Sequence, residues 1–201
     1  MAGAEHRIYD SAMRIFAERG QTSLSMSDLA RESGVARSTL YLHLTSTDDL
    51  FPQIAARLAD EMHQRVVTSF GDTSDPAMRL ANGVRFFVRR AQEEPHWGRF
   101  FTRFALSTAS LQGVFMGPPA SDLARGLEAG RFDFRTDQAP SMLAMIAAST
   151  LSAMFLVVEG HRGWREAGAD AAELLLRAMG LDRDDARQIA QADLPPLAVL
   201  P

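Results

Sequence analysis

A chain of 201 residues, 46% of them hydrophobic, suits one fairly large domain or a small domain fused to a larger one, with ample material for a core. The formal charge of −4 and the absence of lysine among 21 basic residues do not advertise a polyanion partner, so any nucleic-acid binding must rest on local geometry. The lack of cysteine excludes disulfides, thiolate metal sites and cysteine nucleophiles, and fits a reducing, cytoplasmic compartment.

The opening MAGAEHRIYD has no apolar stretch, so no signal peptide is expected. Ile8, Ala12, Ile15 and Phe16 then fall on one face of a first helix, and Gly20 stands where a left-handed cap would close it. Ser25, with Asp28 three residues on, forms a capping-box pattern for a short second helix, which Gly34-Val35 ends. A third helix is predicted over 37–44, with Leu40 and Leu44 inward. Ser46 with Asp49 repeats the capping pattern and opens a long helix to about Phe70.

Beyond residue 70 the predicted helices lengthen. GDTSDP is a linker, Pro76 starts a helix to about Glu94, and Pro95 starts an aromatic-rich one to about Ser110. GVFMGPP reads as a break, followed by a helix over 121–130 and a loop, FDFRTDQ. Residues 138–158 carry no charge, a length that could span a bilayer. Interrupting serines and threonine, many alanines and the lack of a basic flank favour a buried central helix over 140–161, and no membrane partner is expected. Helices over 169–179 and 182–192 follow, and the tail DLPPLAVLP reads as loose. No run of alternating β-branched residues is present, so the expected fold class is all-α.

Three short helices with a Gly-Val turn between the second and third make a helix-turn-helix. The string from RIYDSAMRIFAERG through SMSDLARESGVARSTLYLHLTSTDDL resembles the DNA-binding domain of the TetR family of bacterial repressors. The matching features are Ala12, Phe16 and Gly20, Ser25 with Asp28-Leu29-Ala30, Gly34-Val35, Thr39-Leu40-Tyr41, His43, and the S-x-x-D-L of the fourth helix. A Gly126…Gly130-Arg131-Phe132 signature is a further, weaker match. The resemblance implies a helix-turn-helix domain over 1–47, a larger helical ligand-binding and dimerisation domain over 48–193, and a tail over 194–201. It also implies a homodimer on palindromic double-stranded DNA, released by a small-molecule effector.

Under that resemblance the third helix enters the major groove. Arg37, Ser38 and Thr39 stand at its start, and Arg37 is either a bidentate guanine contact or a solvated arginine. Tyr41 and His43 match family positions that donate to phosphates; Tyr41 is alternatively a core aromatic. Ser25 and Ser27 complete the expected DNA-facing set with Thr47, which replaces a common lysine. Residues 1–50 carry five arginines against seven acids, so binding is expected to be weak and shallow in its salt dependence.

The family also implies an effector cavity. Met62, Phe86, Trp97, Phe100, Phe101, Phe104, Met142 and Met145 are candidate walls for an apolar or aromatic guest, and His63, His96, Arg103 and His161 are candidate polar groups. The last two long helices match the family's dimer seam, for which Ser149, Ala153, Leu174 and Leu175 are candidates. No cofactor is expected. The five histidines show no metal-ligand spacing, and no catalytic motif is present, so an enzyme is not expected. The rival is a dimer of the same fold that binds ligand and has lost DNA binding.

Overall fold

A computed structural model describes residues 2–44 and 46–200; Met1, Thr45 and Pro201 fall outside them. The described residues form eleven α-helices and no strand. Three of them, α1 (Ala2–Arg19), α2 (Met26–Ser33) and α3 (Arg37–His43), build the N-terminal head. The Ser25 hydroxyl accepts the Asp28 amide at 3.1 Å and caps α2, satisfying an amide that a helix start leaves unpaired. Gly34 takes φ +64° at the turn into α3, a conformation that costs a residue with a Cβ. Leu29 and Leu40, both fully buried, join Ile8, Ala12 and Phe16 in a hydrophobic core that continues into the rest of the molecule.

Helix α4 (Leu50–Ser69) starts three residues later than its capping pattern predicts. Ser46 caps a turn instead, accepting the Asp48 amide. The Thr47 hydroxyl donates to the Leu24 carbonyl at 2.7 Å and so joins the α3–α4 turn to the α1–α2 connection. Phe51, the second residue of α4, meets Phe16 of α1 edge-on at 5.3 Å.

The larger unit comprises α5 (Pro76–Glu93), α6 (Pro95–Phe104), α7 (Ala109–Met116), α8 (Pro118–Glu128), α9 (Ala139–Val158), α10 (Trp164–Ala178) and α11 (Arg183–Gln191). Several boundaries differ from expectation, among them the start of α10 at Trp164 rather than 169 and of α8 at Pro118 rather than 121. The aromatic helix ends at Phe104, and the segment predicted as a break is helical to Met116, because Gly117 and Pro118 supply the interruption four residues later. Central α9 packs against α5, α6, α7, α8 and α10. It is long and apolar enough to cross a membrane; within this fold one side of it packs against those neighbours and the other side is exposed.

The Gly126…Phe132 signature is structural. A Cβ at Gly126 would overlap the Phe132 ring. The intervening Arg131 bonds Asp185 at 2.5 Å and Asp75 at 3.2 Å, tying α11 to the start of α5. Arg90, only 3% exposed, is paired with Glu61 (2.9 Å) and Glu94 (3.0 Å) and lies over the Trp97 ring at 4.5 Å. A buried charge survives only with such partners.

The C-terminal tail is not loose. Arg85 donates to the Ala192 carbonyl at 2.6 Å, Arg65 to the Ala198 carbonyl at 2.8 Å, and the Ala198 amide to the Ser69 hydroxyl at 2.7 Å. Leu194 and Leu197 pack on the core beside these bonds. Arg65 and Ser69 of α4, over a hundred residues upstream, thus hold a segment whose own sequence forms no helix, and Arg85 of α5 holds the residue just before it.

Two substitutions test the junction between head and body. Phe51→Ala is expected to cost about 3–5 kcal/mol, the usual range for removing a buried phenylalanine, read from the urea midpoint. Thr47→Val should leave the Leu24 carbonyl unpaired at a cost of about 1 kcal/mol, lowering Tm by about 2–4 °C for a chain of this size; an unchanged Tm would refute the role of that hydrogen bond.

Candidate nucleic-acid interface and ligand cavity

Helix α3 is oriented by Leu40, which is fully buried. At about 100° per residue, Ser38 and Leu42 then lie on the outward crest, Arg37 and Tyr41 on one flank, and Thr39 and His43 on the other. The side chains follow this wheel. Ser38 and Leu42 are exposed, Leu42 to 83%; Tyr41 is 63% exposed, and Thr39 and His43 are half-buried. Leu42 was missed by sequence reasoning because an apolar letter in an amphipathic helix reads as core. Its spacing of two from Leu40 was the available signal.

Arg37 does not project from the crest. It stays exposed, but its Nη2 donates to the Ser27 hydroxyl of α2 at 2.9 Å, because residue 37 sits about 60° from the buried direction on the side facing α2. Thr47 is half-buried with its hydroxyl committed to Leu24, so it offers no free donor to a phosphate. Ser25 is exposed, and its hydroxyl is engaged with Asp28 as both acceptor and donor.

The other head arginines near α2 are also occupied. Arg31 lies 2.5 Å and Arg19 3.5 Å from Asp28. The Ser25 hydroxyl first, then Arg31, hold the Asp28 carboxyl below its ordinary range. That carboxylate therefore stays charged and retains both guanidinium groups near the start of α2.

In the body, a cavity of about 50 Å³ opens between α4, α5, α7, α8 and α9. Val66, Phe70, Val84, Phe87, Phe115 and Ile146 supply its apolar wall. Its polar groups are His63, Arg79, Asp122 and Thr150. Arg79 bonds buried Asp122 at 2.8 Å and lies over the Phe70 ring at 4.1 Å, while Thr150 donates to the Ile146 carbonyl. A dry cavity of about 150 Å³ is the size that admits benzene, so a ring-sized guest requires the walls to move outward.

None of the eight expected wall residues lines this cavity. Met62 and Phe86 are fully buried on other faces of α4 and α5; Phe86 is adjacent in sequence to Phe87 and so points about 100° away. Trp97 and Phe101 stack at 4.2 Å behind Phe87. Phe100 and Phe104 face Phe51 at 5.5 and 4.9 Å. Met142 is buried elsewhere along α9, and Met145 is 37% exposed on its outer side. Of the polar candidates only His63 reaches the cavity; His96 lies 3.7 Å from Glu18, Arg103 lies against Gly20, and His161 neighbours the Phe155 ring.

The outer surface of α9 is apolar. Ala144, Met145, Ala148, Ser152 and Phe155 recur at helical spacing and are all exposed, Phe155 to 51%, and Leu174 of α10 is 62% exposed. Ser149 is half-buried at the edge of this stripe. Ala153 and Leu175 are buried inside the protomer, at 4% and 1% exposure, which corrects their expected place at a surface seam. Small residues on an all-apolar helix do not reveal which side faces a partner.

Comparison with known proteins agrees with this architecture. Residues 8–54 match the family of bacterial regulatory proteins of the tetR type, and residues 75–192 match the tetracyclin repressor-like C-terminal domain. An uncharacterized HTH-type transcriptional regulator of Mycobacterium tuberculosis (strain H37Rv) is 28% identical over 99 residues, 49% of each chain. The A-factor receptor protein of Streptomyces griseus is 28% identical over 177 residues, 83% of this chain and 59% of that one. The matched stretch thus spans about half the length of these curated relatives. Among solved structures, RolR in complex with resorcinol superposes with a TM-score of 0.68 at 23% identity, covering 98% of this chain and 97% of that one. FadR of Bacillus subtilis in complex with stearoyl-CoA gives 0.72 at 16% identity, covering 86% and 97%. A family match that spans both the head and the larger unit leaves one assignment: the chain belongs to the TetR family of DNA-binding transcriptional regulators.

Proposed function

We propose that the protein is a cytoplasmic, ligand-responsive repressor that acts as a homodimer on a palindromic operator and is released by a small apolar or aromatic effector. The observation that carries this reading is the aromatic contact between the two working parts. Phe87 lines the cavity and also meets Trp97 and Phe101 of α6. The same helix carries Phe100 and Phe104 onto Phe51, which holds the head through Phe16. A guest that pushes Phe87 outward bears on the helix that orients α3. Ligand binding then favours one arrangement of the two heads over another.

The effector class is supported by the cavity wall, apolar apart from one ion pair, one hydroxyl and one imidazole. The resorcinol and stearoyl-CoA bound by structural relatives point the same way. The dimer is supported by the exposed Met145–Phe155 stripe and Leu174, since a large apolar patch left in water marks an association surface. The reading with no DNA function is favoured by one feature, the engagement of Arg19, Arg31 and Arg37 with neighbours on the head itself.

An electrophoretic shift with the DNA upstream of its own gene separates the two; a discrete shift is expected, and its absence at micromolar protein would favour the ligand-binding dimer alone. Replacing both Phe155 and Leu174 by Glu should convert dimer to monomer by sedimentation velocity without lowering helix content. In a thermal-shift screen, phenols and other small aromatics should include a stabiliser that also weakens the shift, because a ligand bound by the native state raises Tm. Ile146→Phe should fill the cavity and abolish that stabilisation while sparing DNA binding.

A further inference from the structure

Leu42 is the outermost side chain of the third helix and its most exposed apolar one, 83% accessible beside Tyr41 at 63%. Single exposed leucines are common on protein surfaces; its position on the crest distinguishes this one. It shares that crest with Ser38 one turn earlier, on the opposite side of α3 from buried Leu40. The long polar side chain nearest the helix start, Arg37, is drawn aside to Ser27. Whatever meets the crest of α3 therefore meets a leucine and a serine first.

Leucine has neither donor nor acceptor, so it cannot bond a phosphate or the polar edge of a base. The major groove offers it one apolar group, the C5-methyl of thymine. We propose that Leu42 is a specificity-determining residue that packs against a thymine C5-methyl in each half-site of the operator. The inference rests on the DNA-binding reading of α3. It adds that part of the sequence discrimination is hydrophobic. Such a contact carries no charge, so it survives added salt while phosphate contacts weaken.

The test begins by enriching duplexes from a random pool with the full-length protein. Each thymine of the enriched site is then replaced in turn by deoxyuridine, which pairs identically and lacks only the methyl. Affinity is read by fluorescence anisotropy. One symmetry-related pair of thymines should respond, each losing about fourfold, the worth of one buried methyl. Leu42→Ala should bind the thymine duplex more weakly and show no further loss with deoxyuridine. Because Leu42 is a surface residue, this variant should keep the parent Tm. Enrichment without any uracil-sensitive thymine, or a penalty that persists in Leu42→Ala, overturns the role of Leu42 alone. Failure to enrich any sequence overturns the DNA-binding reading and this inference with it.

Discussion

The packing of Phe51 between Phe16 on one side and Phe100 and Phe104 on the other is the constraint on which the rest of the molecule depends. A head of fewer than fifty residues buries too little apolar surface to be robust alone. Its three helices gain an added wall from the start of α4, and α1 also packs along α6. The head is therefore stable only in the orientation that these aromatic contacts allow. Whatever changes the position of α6 changes the presentation of α3, because close-packed interfaces shift between discrete arrangements rather than deforming smoothly.

The cavity lies at the other end of the same aromatic chain. Phe87 contacts Phe115 at 5.0 Å across the cavity wall, and Trp97 and Phe101 at 5.8 and 5.9 Å behind it. Spatial continuity is a precondition for coupling. It also identifies the direction in which a guest must push. With about 50 Å³ open, a ring-sized effector has to displace a wall. The Arg79–Asp122 pair and its stacking on Phe70 stiffen one side. Phe87 and Phe115 form an opposing side made of dispersion contacts alone, which yield more readily than a buried ion pair loses its partner.

The head was legible in sequence because its information is local. Gly20, Ser25 and Gly34 each satisfy a helix end within four residues of themselves. The faces of the middle helices were not legible. Phe86 and Phe87, or Phe100 and Phe101, are neighbours that differ only in direction, and α9 is apolar on nearly every side. Periodicity cannot separate core from cavity, or core from seam, when every position is hydrophobic; hence the inward placement of Ala153 and Leu175 and the outward placement of Met145. The tail was unreadable for the opposite reason. Its hydrogen bonds go to Arg65 and Ser69, partners that no local pattern reveals.

The scarcity of free charge on the head can coexist with sequence recognition. Phosphate contacts strengthen binding to every duplex about equally, so losing them lowers specific and non-specific affinity together. What decides occupancy of an operator among many competing sites is the ratio of the two. A head in which Arg19, Arg31 and Arg37 are held by Asp28 and Ser27 sacrifices absolute affinity, but the ratio depends on what the crest and flanks of α3 present to the bases. Those groups are a hydroxyl at Ser38, a phenol at Tyr41 and an isobutyl group at Leu42. Discrimination built on such contacts is nearly independent of ionic strength. Low charge also weakens the hold of random DNA, so release of the proposed dimer by an effector would have less residual binding to overcome.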